Sequence, residues 1–173
     1  MMQRLDEAYF QTAKLIPLGR SIKLLDLGCC TGLEYEAFIR VNPDIEVTGI
    51  QEEEKLQKML YKKAGRRIAK LRLIYGDYWN VDFGKEHYDI AMSAVEVSRY
   101  DRKMRLRLYA RILDTLEEDG SYIERVLMPN ESYSTGNINN LFSKLVSLLL
   151  EAGFQRVERV WQNPNTLLIK ATK

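Results

Sequence analysis

One short stretch of the sequence combines a carboxylate, two glycines and two adjacent thiols at a spacing that suits a ligand-binding turn. It covers residues 23–32 and reads KLLDLGCCTG, an apolar run that ends in a tight turn. Glycines such as Gly28 and Gly32 allow unusual backbone angles and let a ligand approach the main-chain N–H groups closely. The carboxylate of Asp26 suits a pyrophosphate poorly, but it can bind an amine or orient the loop. The stretch therefore indicates a ligand-binding turn in which Asp26 either binds an amine or orients the loop.

Such a turn needs a strand before it and a helix after it, and the rest of the chain repeats that alternation. Apolar periodicity predicts helices over residues 2–15, 34–40, 53–69, 101–117 and 138–152. Predicted strands cover residues 22–27, 45–50, 71–75, 88–93, 122–127, 156–161 and 166–171. Only Asn163-Pro164-Asn165 and their neighbours separate the last two strands, so these strands predict a hairpin.

This order predicts an α/β fold, namely a three-layer Rossmann-like sandwich. Its seven-stranded sheet is expected to be mostly parallel and to end in an antiparallel C-terminal hairpin. A length of 173 residues suits one domain over residues 1–173. Within it we expect a leading helix in residues 1–20, a ligand-binding core in 21–128, and a C-terminal helix and hairpin in 129–173.

Composition narrows the classes of function. The chain is 46% hydrophobic and 29% charged with a net charge of +2, which favours a folded protein without a strong electrostatic partner. No signal peptide and no apolar run of about 20 residues is present, so no membrane span is predicted. Adjacent Cys29 and Cys30 suit neither a mutual disulfide nor a metal site, and we expect a cytoplasmic protein. The basic stretches at 55–72 and 99–111 are interpreted as solvated helix faces, and nucleic acid is the disfavoured partner.

Residues 26–32 resemble motif I of the class I S-adenosylmethionine-dependent methyltransferases, which reads roughly D-L-G-C-G-T-G. Further stretches are similar to later landmarks of that family and occur in the same order; they are GIQ at 49–51, GDY at 76–78, YDIAMS at 88–93 and EAGF at 151–154. The resemblance therefore extends over nearly the whole chain. It implies a methyltransferase that uses S-adenosyl-L-methionine and transfers a methyl group to an unidentified acceptor.

The resemblance also implies which residues hold the cofactor. Gln51 and its neighbour Glu52 correspond to the ribose contact, Asp77 and Tyr78 to the adenine cradle, and Ser93 to the floor beneath the methionine part. The full implied set is Asp26, Gly28, Cys29, Cys30, Gly32, Gln51, Glu52, Asp77, Tyr78 and Ser93.

No catalytic residue is assigned, because methyl transfer of this kind depends mainly on alignment of the nucleophile with the sulfonium methyl. Tyr9 and Glu96 are the candidates for a base on position alone.

Departures from the family pattern leave alternatives open. Cys30 replaces the middle glycine, and Gln51 replaces the ribose-binding carboxylate. The short segments before residue 22 and at 129–136 predict an open acceptor pocket, which a homodimer or a protein partner could complete. The first alternative is a degenerate methyltransferase-like protein with weak or no cofactor binding that serves as a binding partner or scaffold. The second is a nucleotide-dependent oxidoreductase, which Asp26 and the closing hairpin disfavour.

Overall fold

The computed structural model describes residues 2–29, 32, 34–64, 70–94, 96–128 and 135–173, with the backbone alone for 2–6, 56, 57, 61, 63, 64, 96, 135 and 136. Its α-helices are α1 Met2–Ala13, α2 Tyr35–Val41, α3 Glu54–Ala64, α4 Arg102–Thr115 and α5 Thr135–Ala152. Its strands are β1 Ile22–Leu27, β2 Ile45–Gln51, β3 Lys70–Tyr75, β4 Tyr88–Ala94, β5 Leu116–Leu127, β6 Arg156–Asn163 and β7 Thr166–Thr172. A 3₁₀ turn, Glu96–Arg99, follows β4.

The strands form one sheet in the order β3-β2-β1-β4-β5-β7-β6. The first five run parallel, whereas β7 pairs antiparallel with both β5 and β6. The predicted α/β sandwich with an antiparallel C-terminal hairpin is thus confirmed. In a parallel sheet the carboxyl ends of neighbouring strands meet at one edge, so the loops after β1, β2 and β4 lie side by side.

Helices cover both faces of the sheet and create two cores. On one face Ala13, Phe38 and Leu60, from α1, α2 and α3, pack against the sheet. On the other face the core includes Tyr109 of α4 and Leu149 of α5. Because central parallel strands are covered on both sides, most side chains of β1, β2 and β4 are buried. A fully buried charged side chain among them is therefore exceptional. No helix among the described residues is both long enough and apolar enough to cross a membrane.

The start of β5 corrects the sequence prediction. The helix expected to reach residue 117 ends at Thr115, and the strand expected from residue 122 begins at Leu116. Leu116 pairs with Tyr88, and an irregular stretch follows before the regular register resumes. Asp119 has a φ of 65° within that stretch. Asp119-Gly120 is a residue pair typical of turns, but here it marks an irregularity inside the strand instead of a turn before it.

Other boundaries lie within about three residues of those predicted, except at the end of α3. That helix ends at Ala64, and the rest of the helix predicted to residue 69 lies outside the described residues. Within α3, Met59 is half-exposed whereas the adjacent Leu60 is fully buried. Gly153 has a φ of 110° and follows the last residue of α5.

Candidate functional site

The turn after β1 is shaped by its glycines. Gly28 and Gly32 have φ values of 78° and 60°, a region that other residues rarely adopt. The N–H groups of Gly28 and Cys29 both donate to the carbonyl of Ile50, at 3.0 and 3.4 Å, and so fasten the turn to β2. These two amides are therefore occupied within the protein. Cys30, which was predicted to contact the cofactor, lies outside the described residues.

Cys29 is a packing residue of this turn. It is 1% exposed, and its sulfur lies where a side chain at Gly49 would be, 2.8 Å from the position of an added Cβ. Gly49 is thus required because the Cys29 side chain fills the space over β2. The Cys29 side chain thus packs as a small buried apolar group.

Asp26 is a fully buried carboxyl group at the end of β1. Its Oδ2 accepts a hydrogen bond of 2.7 Å from the Tyr35 hydroxyl, whereas its Oδ1 has no hydrogen-bond partner among the described residues. Burial, reinforced by the negative charge of Glu34, raises the pKa of Asp26 to about 8, although Tyr35 and Arg125 act in the opposite direction. This carboxyl group can ionise readily only if a cation approaches it.

Gln51 lies at the end of β2 and is 5% exposed. Its Oε1 accepts a hydrogen bond of 3.2 Å from the Glu53 N–H, and its Nε2 has no partner among the described residues. The group of Gln51 left free to contact a ligand is therefore the N–H donor, and contact of Gln51 with a ribose stays a prediction. Neighbouring Glu52 forms an ion pair with Arg99, with a distance of 2.7 Å between Oε2 and Nη2.

Asp77 and Tyr78 follow β3 and already have partners within the protein. Asp77 Oδ1 accepts hydrogen bonds from the N–H groups of Trp79 and Asn80 at 2.8 and 2.9 Å, and the Asn80 side chain donates to Oδ2 at 2.6 Å. These hydrogen bonds lower the pKa of Asp77 and make it the first residue of a turn. Tyr78 is buried, and its carbonyl accepts from Arg111. Contact of either residue with adenine stays a prediction.

Ser93 belongs to a separate buried cluster. Asp26 pairs in register with Met92, and neighbouring residues of a strand point to opposite faces, so Ser93 faces away from Asp26. Its hydroxyl lies 2.6 Å from that of Tyr122. Beside them the Tyr109 hydroxyl donates a hydrogen bond of 2.7 Å to Glu124. The structure therefore does not bring the Ser93 and Asp26 side chains together.

Glu124 is 2% exposed and completes this second cluster. Burial raises its pKa to about 7, and its contacts with Tyr109, Arg105 and Tyr122 oppose that rise.

Tyr9, one of the positional candidates for a base, lies beneath Arg125 with its ring centroid 4.6 Å from the guanidinium carbon. The side chain of the other candidate, Glu96, lies outside the described part.

Three residues around Asp26 were not among the site residues predicted from the sequence. Glu34 and Tyr35 directly follow the glycine turn, and Glu34 Oε1 lies 3.8 Å from Nη2 of Arg125. The signal that could have identified Arg125 is its place in Tyr122–Leu127, where two adjacent charges interrupt an otherwise apolar strand. Among the described residues no His, Cys, Asp and Glu side chains form a group that could hold a metal ion.

The chain matches a known protein family over the strands that carry the candidate site. The family described as "methyltransferase domain" matches residues 24–120, more than half of the chain. A comparison with curated proteins found no match. The match region contains the glycine turn, β2, β3 and β4.

Solved structures share the fold. A Nostoc punctiforme PCC 73102 protein, provisionally assigned as an O-methyltransferase, gives a TM-score of 0.80 at 19% identity over 98% of this chain and 57% of its own. The S-adenosylmethionine-dependent methyltransferase SibL gives 0.77 at 15% identity over 99% of this chain and 56% of its own. The [4+2]-cyclase SpnF gives 0.79 at 16% identity over 99% and 81%. The chain therefore spans little more than half the length of the first two proteins, and likeness at these identities shows the fold alone.

Proposed function

The chain belongs to the methyltransferase-domain family, and from this premise we propose that it is an S-adenosylmethionine-dependent methyltransferase. The observation that supports the proposal most strongly is the position and burial of the Asp26 carboxyl group. It ends β1 beside the glycine turn, is fully buried, and keeps one oxygen without a partner among the described residues. A buried acceptor of this kind is costly unless a ligand supplies its donor.

The polar groups at this edge of the sheet fit the cofactor. S-adenosylmethionine carries an ammonium group at one end, which complements the Asp26 carboxylate, and ribose hydroxyls in its middle. The unpartnered Nε2 of Gln51 can donate a hydrogen bond to a ribose oxygen, while Oε1 of the same side chain stays bonded to the Glu53 N–H. Gln51 therefore replaces the charged ribose contact of the resembling family with a neutral donor.

The bound cofactor supplies a methyl group on a positively charged sulfur, which a nucleophile can attack. The protein's own contribution begins at Asp26, whose carboxyl group releases its proton to solvent when the ammonium group binds. Tyr35 keeps the resulting carboxylate oriented through its hydrogen bond of 2.7 Å. Orientation within a buried site is the main source of rate enhancement in a reaction without a required acid or base.

The acceptor side is proposed from the sequence. An open pocket that a second copy or a protein partner completes follows from the short segment at 129–136. A cytoplasmic location follows from the adjacent lone thiols.

Titration calorimetry of the full chain with S-adenosylmethionine and S-adenosylhomocysteine tests the proposal, with NAD as the matched control ligand. We expect both sulfur nucleosides to bind and to raise the melting temperature by mass action, and NAD to do neither. No heat and no thermal shift at millimolar nucleoside would overturn the cofactor assignment. Because a cyclase shares the fold, transfer needs its own measurement, which is formation of S-adenosylhomocysteine across a panel of nucleophilic acceptors.

A further inference from the structure

Arg125 has a buried guanidinium group that lacks part of its hydrogen bonding. Its side chain is 7% exposed, with Nη2 3.8 Å from Glu34 Oε1 and the guanidinium carbon over the ring of Tyr9. Its Nη1 has no hydrogen-bond partner among the described residues. An ion pair at this distance provides attraction without a short hydrogen bond, and a buried charge normally requires both. The guanidinium is therefore set up to receive another anion.

The register places Arg125 on the same face of the sheet as Asp26. Asp26 pairs with Met92, and Met92 pairs with Ile123, so these three side chains form one row. Arg125 lies two residues beyond Ile123, on the same face and nearer the carboxyl ends of the strands. Glu34, which the guanidinium approaches, lies two residues after Gly32 in the chain. One buried face thus carries an unpartnered carboxylate oxygen and an unpartnered guanidinium N–H beside the same turn.

We propose that Arg125 binds the α-carboxylate of the cofactor's amino-acid tail while Asp26 binds its ammonium group. This inference rests on the proposed function and adds a specificity-determining residue that motif I does not contain. A zwitterion satisfies both orphan atoms at once, whereas a simple amine satisfies only Asp26. A guanidinium can hold a carboxylate through two parallel hydrogen bonds, which a lysine cannot.

The test compares S-adenosylmethionine with decarboxylated S-adenosylmethionine, which keeps the nucleoside, the sulfonium and the ammonium. In the wild-type chain we expect the intact cofactor to bind at least about 30-fold more tightly, because the decarboxylated form leaves Arg125 unpaired. Equal affinity for the two would overturn the role of Arg125 and leave the proposed function standing. Binding of neither compound would overturn both.

Variants of Arg125 test whether this residue causes the preference for intact over decarboxylated S-adenosylmethionine. Arg125→Met alone leaves Glu34 buried without a counter-charge, so the double variant Glu34→Gln/Arg125→Met is used, with Glu34→Gln as its matched control. We expect the control to keep the preference and the double variant to reduce it to within about threefold, chiefly through weaker binding of the intact cofactor. Circular dichroism melting confirms that each variant is folded. If the folded double variant kept the preference, another group would hold the carboxylate and the inference would be wrong.

Discussion

Two buried carboxyl groups, one on each face of the sheet, have opposite surroundings. Asp26 lies on the face covered by α1 and α2, where one of its oxygens has a tyrosine partner and the other has none among the described residues. Glu124 lies on the face covered by α4 and α5, among the hydroxyls of Tyr109 and Tyr122. Burial raises the pKa of both groups, to about 8 and about 7.

The difference shows how a ligand site and a structural network can be told apart when both contain a shifted pKa. A buried carboxyl group in a fully hydrogen-bonded network helps to specify one packing arrangement of the core. A carboxyl group with an orphan oxygen keeps a cost that a ligand can relieve. We therefore assign Asp26 to ligand binding and Glu124 to the architecture.

The largest contrast is expected in cofactor affinity. Asp26→Asn removes the charge that pairs with the ammonium group, and truncating one partner of a buried charge pair costs about 2–5 kcal/mol. We expect S-adenosylhomocysteine to bind about 500-fold more weakly to this variant, whereas the matched variant Glu124→Gln changes the affinity by less than about threefold. Calorimetric titration measures both. Equal losses in the two variants would erase the distinction between the faces.

The next effect concerns stability and belongs to Glu124. Its folded pKa of about 7 lies above the ordinary 4.5, so the folded state holds the proton more tightly than the unfolded state. The associated stability is fully present below pH 4.5 and is lost as the pH rises through 7. At about 1.4 kcal/mol per pKa unit, the wild-type chain should lose on the order of 3 kcal/mol over that window.

Glu124→Gln provides the comparison, because its amide does not titrate. Urea unfolding at pH 5 and pH 7.5 should show the difference in free energy of unfolding between the two chains moving in favour of the variant at the higher pH. Asp26 titrates in both chains, so its contribution cancels. A difference that stays constant with pH would mean that Glu124 is ionised in the folded protein throughout.

The architecture was predictable because it rests on local patterns. Strands β1 to β4 and the hairpin lie in apolar runs bounded by turn residues, and each was placed within about two residues at either end. The start of β5 was misplaced because Asp119-Gly120 is a turn signal in isolation. Its role as an irregularity inside a strand depends on pairing with Tyr88, a contact remote in sequence.

The site was predictable only where one segment contains it. Asp26 and the two glycines can be predicted from a single stretch of sequence, but the side chains that contact Asp26 cannot. Arg125 reaches the turn from a strand about 100 residues later, and no local pattern links the two. Likewise, the sequence does not show that the Glu53 N–H donates to Oε1 of Gln51, so that Nε2 is the group left free to bind a ligand. Which side chains form hydrogen bonds and ion pairs depends on how the chain packs, so motif spacing alone could not predict these contacts.

The smallest effect expected is the pH dependence of cofactor affinity, and it separates the two carboxyl groups most directly. In the free protein Asp26 is mostly protonated below its pKa of about 8, so an incoming ammonium group must displace that proton. Affinity should therefore fall about tenfold per pH unit below 8, or about 30-fold from pH 7.5 to pH 6. Calorimetry at these two values in buffers of different ionisation enthalpy would also report the released proton. Asp26→Asn should flatten the profile, whereas Glu124→Gln should keep its slope even though Glu124 titrates in the same range. A flat wild-type profile would contradict the prediction, because it would mean that cofactor binding does not require Asp26 to lose a proton.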